Sequence, residues 1–263
     1  VLLIVKIWKT LIGSKSEPQI VGTLIVATHL IALEMSSSFD QHLIVATRVV
    51  ALFVTASVLY WAVHFRGGLA LSSEIRLQIF NVHPVLTVIG LIFLNGEAIL
   101  AYKTISGTKT FKKGVHLTIQ GAAILLSATG IWAVYKFHRV KRADDFYSLH
   151  SWLGLGCFFS FVLQWIVGFT AFWYPGALLS KRAEILSWHV FLGVYIYALA
   201  VATSVTGILE KATFMQHHNM ISHYSFEAFY LNFLGLLMVS LGGLVVFTII
   251  YSNGRKDGYL PVR

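Results

Sequence analysis

Six runs of about 20 apolar residues, separated by polar loops, leave this chain little choice but a bundle of membrane-spanning helices. Within a bilayer every backbone amide must be satisfied inside the chain, so each run folds as a helix. The runs cover about 43–63, 82–102, 115–135, 150–173, 188–208 and 228–251. Charged residues make up only 12% of the chain against 57% hydrophobic, about half the charge of a soluble domain. The fold class is therefore all-α: a polytopic membrane protein with six transmembrane helices and little room for a soluble domain. The formal charge of +9 sits mainly in loops and tails. Its scatter between apolar spans excludes nucleic acid as a partner and suits the lipid bilayer surface or a small anion.

Residues 1–38 read as an N-terminal extension. The apolar run 20–33 is short for a span, and TLIVATHLIAL (23–33) nearly repeats HLIVATRVVAL (42–52). A local duplication or a faulty gene model accounts for this, and Met35 is a candidate working start. The division expected is 1–38 extension, 39–255 six-helix domain and 256–263 cytosolic tail. Loops 2–3 and 4–5 with the C-terminal tail carry nine Lys/Arg against seven on the other side. This small bias places the lysine-rich 2–3 loop and the C-terminus inside. The single cysteine, Cys157, lies in a span, excludes an intrachain disulfide and reads as core packing.

Each of four consecutive spans has one histidine at or near its start: His83, His116, His150 and His189, spaced by 33, 34 and 39 residues. Successive spans alternate direction, so His83 and His150 share one membrane face and His116 and His189 the other. In an up-down bundle, parallel spans are diagonal, about 12–14 Å apart. An iron between two imidazoles needs about 2 Å per bond plus two side chains, roughly 12 Å between backbones. The pairs are therefore His83 with His150 and His116 with His189, the axial iron ligands of two haem b groups held in a central four-helix bundle. Zinc fits less well, because it wants four ligands at one point. His64, His217, His218 and His223 read as loop histidines.

The sequence has no dinucleotide fingerprint and no P-loop, and no soluble domain to hold flavin or nicotinamide. Electrons must arrive on a small reductant docking at the membrane face. An iron with two histidine ligands has no open position, so it relays electrons and does not activate oxygen. Two other readings compete: a haem-free, histidine-lined metal-ion transporter, and a quinol-oxidising di-haem membrane subunit.

SLHSW (148–152), AYK (101–103) ahead of a basic loop and His116, and FNVHP (80–84) together resemble the cytochrome b561 family of ascorbate-dependent transmembrane oxidoreductases. The resemblance covers about 39–255 and is closest to plant members. It implies a homodimer that takes electrons from cytosolic ascorbate and delivers them to monodehydroascorbate or ferric chelates outside. The membrane is then the plasma, vacuolar or another endomembrane.

By the same resemblance, His83 and His150 hold the non-cytosolic haem, and His116 and His189 the cytosolic one. Lys109, Lys113 and Arg182 match the cytosolic ascorbate site. Phe137, His138 and Tyr147 match the outer substrate site. Lys103 falls near the inner haem. Asp145, Phe146, Tyr147, Ser148 and Glu210 fall at outer-haem contacts, and Arg255 or Lys256 at the inner propionates. Lys103, Lys109, Lys112 and Lys113 also suit positive-inside anchors, and Phe137 and Tyr147 interfacial aromatics. Asn95, Glu97, Gln120 and Gln164 are expected to face the bundle interior as hydrogen-bonding groups.

Overall fold

The computed structural model describes residues 40–257, with side chains as far as Tyr251. The extension 1–38, most of the tail 256–263, and the side chains of Arg255 and Lys256 lie outside the described residues. Among the described residues there is no strand. Six helices are long and apolar enough to span a membrane: α1 Asp40–Phe65, α2 Arg76–Thr104, α3 Lys109–Lys141, α4 Leu149–Phe172, α5 Leu179–His217 and α6 Phe226–Tyr251. The last remains helical to Asp257.

The helices outrun the apolar stretches. Helix α5 has 39 residues, about 58 Å of rise against a hydrocarbon core of about 30 Å. Caps outside the apolar runs set several of the ends. The Thr108 hydroxyl accepts the Phe111 amide (3.2 Å) and starts α3. The Ser148 hydroxyl does the same for Ser151 (3.2 Å) at the start of α4. Arg142, with φ 54°, closes α3 in the left-handed conformation. The stretch from Lys136 to Lys141, expected as loop, is therefore the last turns of α3, and it carries Phe137 and His138.

Helix α2 corrects a second expectation. It starts at Arg76, ahead of the apolar run expected from about 82, so Pro84 lies inside the helix. A π-helical stretch, Val88–Leu94, follows. The Thr87 hydroxyl donates to the His83 carbonyl (2.7 Å), satisfying an acceptor in this irregular region. One extra residue in a helix turns everything beyond it by about 100°, so the π turn sets which faces His83 and Asn95–Ala98 present.

Helix α3 packs on α2 and α4, and α5 packs on α4 and α2. Helices α2–α5 thus form a four-membered ring in which α2/α4 and α3/α5 are the diagonals. Glycine sets the closest approach. A Cβ at Gly90 of α2 would stand 2.7 Å from the Ala123 carbonyl of α3. Helix α6 packs along α5 and α2. Helix α1 meets α6 through Thr47–Thr248 (3.3 Å) and through the indole of Trp61, which donates to Glu227 (2.8 Å). Glu227 is also paired with Arg66, both nearly out of solvent. Cys157 is fully buried, as core packing requires.

Of the polar residues within spans, Asn95 and Gln120 pair across α2 and α3, with the Gln120 amide donating (3.0 Å). Gln164 donates to the His189 carbonyl (2.6 Å). Glu97 makes an interhelical bond too, accepting a forked pair from Arg48 on α1 (2.8 Å).

Candidate functional site

The diagonals bring the histidines together two by two. The rings of His83 and His150 are centred 6.0 Å apart, and those of His116 and His189 6.1 Å apart. Two metal–imidazole bonds of about 2 Å plus the two ring radii also come to about 6 Å. Each pair therefore leaves room for one iron. His83 is level with Gly130 of α3. His116 lies 14 residues along the same helix, so the pairs are about 21 Å apart along the axis.

Backbone carbonyls fix three of the four rings. Nδ1 of His83 meets the Gly130 carbonyl (3.2 Å), that of His116 the Ala98 carbonyl (2.8 Å), and that of His150 the Thr203 carbonyl (2.9 Å). With Nδ1 donating, Nε2 is left as the ligating atom. Nδ1 of His189 is buried without a partner. Two glycines make space for the rings. A Cβ at Gly207 would stand 2.7 Å from His150 Cε1, and one at Gly168 2.9 Å from His189 Cε1. Facing imidazoles, oriented rings and glycine cradles fit haem b. No cluster of three or more metal-ligating side chains occurs among the described residues.

At the His116–His189 end, two of the predicted cations converge on the α4–α5 connection. Lys113 donates to the Phe172 carbonyl (3.2 Å), and the Phe172 ring lies 5.5 Å from His189. Arg182 Nε donates to the Ala177 carbonyl (2.7 Å). Its guanidinium lies over Gly176, whose φ of 86° and lack of a Cβ admit it. Lys109 stands exposed in the first turn of α3. Lys112 donates to the Tyr102 carbonyl (3.2 Å) at the end of α2. Lys103 donates to the Thr248 and Ile249 carbonyls (2.9 and 3.0 Å), tying α2 to α6.

At the other end, aromatic rings lead outward. Phe80 lies 6.4 Å from His83 and 5.3 Å from Phe137, and Phe137 lies 6.0 Å from His138. Nδ1 of His138 bonds Asp145 (2.9 Å), and Arg139 pairs with the same carboxylate. Tyr147 donates to Glu210 (3.1 Å). Burial and the Glu210 carboxylate hold its phenol above the ordinary range. Phe146, in the left-handed conformation at φ 55°, shapes the turn that delivers Tyr147 and the capping Ser148.

His64, His217 and His218 stand apart from both pairs. His64 ends α1, stacked on Tyr60 at 4.8 Å. His217 ends α5, and His218 bonds the Phe214 carbonyl (2.8 Å). The sequence reading passed over Phe80, Gly168, Gly207 and Lys211. Lys211, a cation at the end of an apolar run, was the one with a visible signal.

The family model for eukaryotic cytochrome b561 matches residues 82–215, which include all four paired histidines. Transmembrane ascorbate ferrireductase 2 of Arabidopsis thaliana is 54% identical over 213 residues, 81% of this chain and 93% of that protein. Ascorbate-specific transmembrane electron transporter 2 of Zea mays is 40% identical over 220 residues, 82% of this chain and 93% of that one. A transmembrane ascorbate-dependent reductase of Sus scrofa is 36% identical, covering 80% of this chain and 82% of its own length.

Proposed function

This chain belongs to the cytochrome b561 family, a family of b-haem proteins, and from that premise we propose that it is an oxidoreductase carrying single electrons across a membrane from ascorbate. The electrons leave on monodehydroascorbate or a ferric chelate at the opposite face. The observation that carries the reading is the pair of facing histidines at each end of one bundle, centred 6.0 and 6.1 Å apart. His83 with His150 and His116 with His189 hold the two haems. Haem iron, when bound, supplies a one-electron ferric/ferrous couple.

The chain's own residues supply binding and orientation. Lys109, Lys113 and Arg182 draw the ascorbate monoanion to the end that bears His116 and His189. That end faces the cytosol, with the C-terminus on the same side. Each electron removed from the monoanion leaves the monodehydroascorbate radical, and one proton is released there. At the far end Phe137, Tyr147 and His138 receive the acceptor. Asp145 occupies Nδ1 of His138, so Nε2 is the atom turned to an incoming molecule. Phe80 and Phe137 exclude water between that position and His83. The proposal includes a homodimer, checked by mass measurement in detergent.

A metal-ion transporter needs a continuous file of ligands, whereas two isolated pairs about 21 Å apart leave a long gap. A quinol oxidase subunit needs its reductant site open to lipid, whereas the cations here cluster at helix ends beyond the apolar runs.

The test uses vesicles loaded with ascorbate and a ferric chelate added outside. Haem reduction by ascorbate followed by appearance of ferrous iron outside supports the reading. Ferrous iron formed only when the vesicles leak overturns it.

A further inference from the structure

Lys211 lies near the end of α5, where it meets charges and aromatic rings contributed by α1, α2 and α6. Its Nζ is 4.1 Å from the Phe80 ring centre and 5.7 Å from that of Phe214. The charged groups that act on it are Arg66 and Glu227. Glu227 is already committed: one oxygen takes the Trp61 indole and Arg66 Nε (both 2.8 Å), and the other takes Arg66 Nη2. Its carboxylate is thus taken up by Arg66 and the neutral Trp61 indole, which leaves Lys211 as an excess positive charge beside the pair. Glu210, the preceding residue, accepts from Tyr147 through one oxygen, and its other oxygen is buried without a hydrogen-bond partner. No carboxylate reaches ion-pair distance of Lys211 among the described residues.

A partly buried cation in this state calls for an anion. Ring contacts do not supply one, because aromatic faces attract cations without neutralising them. The position is also informative. The Phe80 ring that Lys211 touches is itself 6.4 Å from the His83 ring and 5.3 Å from Phe137. His138 and Arg139 share Asp145, and Arg66 has Glu227, so the cations flanking Phe80 are satisfied except this one.

We propose that Lys211 is the anion-receiving cation of the outer site, pairing with a carboxylate-class anion across Phe80. The anion has two possible sources: a propionate of the haem between His83 and His150, or the incoming anionic acceptor. The inference rests on the functional reading above.

The experiment uses the full chain in ascorbate-loaded vesicles, with Lys211→Met, which keeps the apolar stem and removes the charge, and Lys211→Arg, which restores it. Ferricyanide serves as the anionic acceptor and hexaammineruthenium(III) as the cationic one, and both haem components are titrated at equilibrium. If the acceptor is the partner, Lys211→Met slows ferricyanide about tenfold, spares hexaammineruthenium(III) and leaves both potentials in place. If a propionate is the partner, Lys211→Met lowers the potential of the component that His83→Ala removes, because a nearby cation favours the reduced state, and Lys211→Arg returns it. Unchanged potentials and unchanged rates with both acceptors overturn the inference. Should Lys211→Met fail to assemble, Lys211→Gln, which also removes the charge, carries the same two readouts. A ferricyanide rate and an outer-component potential that both match the parent in Lys211→Gln overturn the inference. Unaltered protein that exports no electrons from ascorbate sinks the functional reading instead.

Discussion

Replacing Gly207 by alanine adds one methyl group where a haem-ligand ring leaves little room for it. The new Cβ would stand 2.7 Å from His150 Cε1 and 2.9 Å from its Nδ1. Carbon atoms rest at about 3.5–4.0 Å, so the ring must shift by about 1 Å. It cannot do so freely, because Nδ1 is held by the Thr203 carbonyl at 2.9 Å and the far side faces His83 at 6.0 Å. Losing that hydrogen bond costs about 1 kcal/mol, and overpacking costs about 1–3 kcal/mol. The helical preference of alanine over glycine returns about 0.5–1 kcal/mol. The balance is about 2 kcal/mol against a bound haem, close to a 30-fold loss of affinity. Haem per chain and the reduced-minus-oxidised spectrum measure it after purification at limiting haem. The component lost must be the one lost in His83→Ala. Gly156→Ala, where the methyl meets nothing within 4 Å, is the control and should keep both components. Full haem content and an unaltered spectrum in Gly207→Ala would refute the cradle argument.

Further expectations concern the two ends. Lys113→Ala and Arg182→Ala each slow reduction by ascorbate several-fold with haem content intact, read by stopped-flow absorbance; unchanged rates in both remove these residues from the donor site. Glu227→Gln strands the buried Arg66 guanidinium and destabilises the chain by about 3–5 kcal/mol, seen as a lower unfolding temperature in detergent; an unchanged temperature contradicts it. The raised Tyr147 phenol stays protonated below its ordinary range and gives up its bond to Glu210 only as pH rises beyond it. Its contribution is therefore constant from pH 6 to 9, about the working range. A step in acceptor-side rate within that window that disappears in Tyr147→Phe contradicts the assignment.

The features carried by side-chain period and type were readable from residues alone. Apolar runs mark all six helices, because lipid leaves the backbone no alternative. Alternating direction with histidine spacing predicts the diagonal pairs, and the distances agree. What stayed hidden depends on backbone groups and on missing atoms. The carbonyls of Ala98, Gly130 and Thr203 that orient the rings have no sequence signature, since any residue there offers the same acceptor. Gly168 and Gly207 act through an absent Cβ, and in an apolar run they resemble ordinary helix-packing glycines. The end of α3 was misjudged because its last turns are basic and Arg142 closes them beyond the apolar stretch, so the residues after Tyr135 read as loop. The start of α2 was also misplaced, because Arg76, Gln78 and Asn81 interrupt the apolar pattern ahead of the run at about 82. The partner of Glu97 was hidden too, because no local pattern reveals that Arg48 and α1 lie next to α2.

The central claim is that two haems are held by diagonal pairs at opposite ends of one bundle. The direct measurement is haem per chain and the resolved visible spectrum of the four single variants His83→Ala, His150→Ala, His116→Ala and His189→Ala. The account predicts two b-type components in the parent, one lost in both His83→Ala and His150→Ala and the other in both His116→Ala and His189→Ala. Loss of the same component from His83→Ala and His116→Ala, or a parent with a single haem, would contradict it.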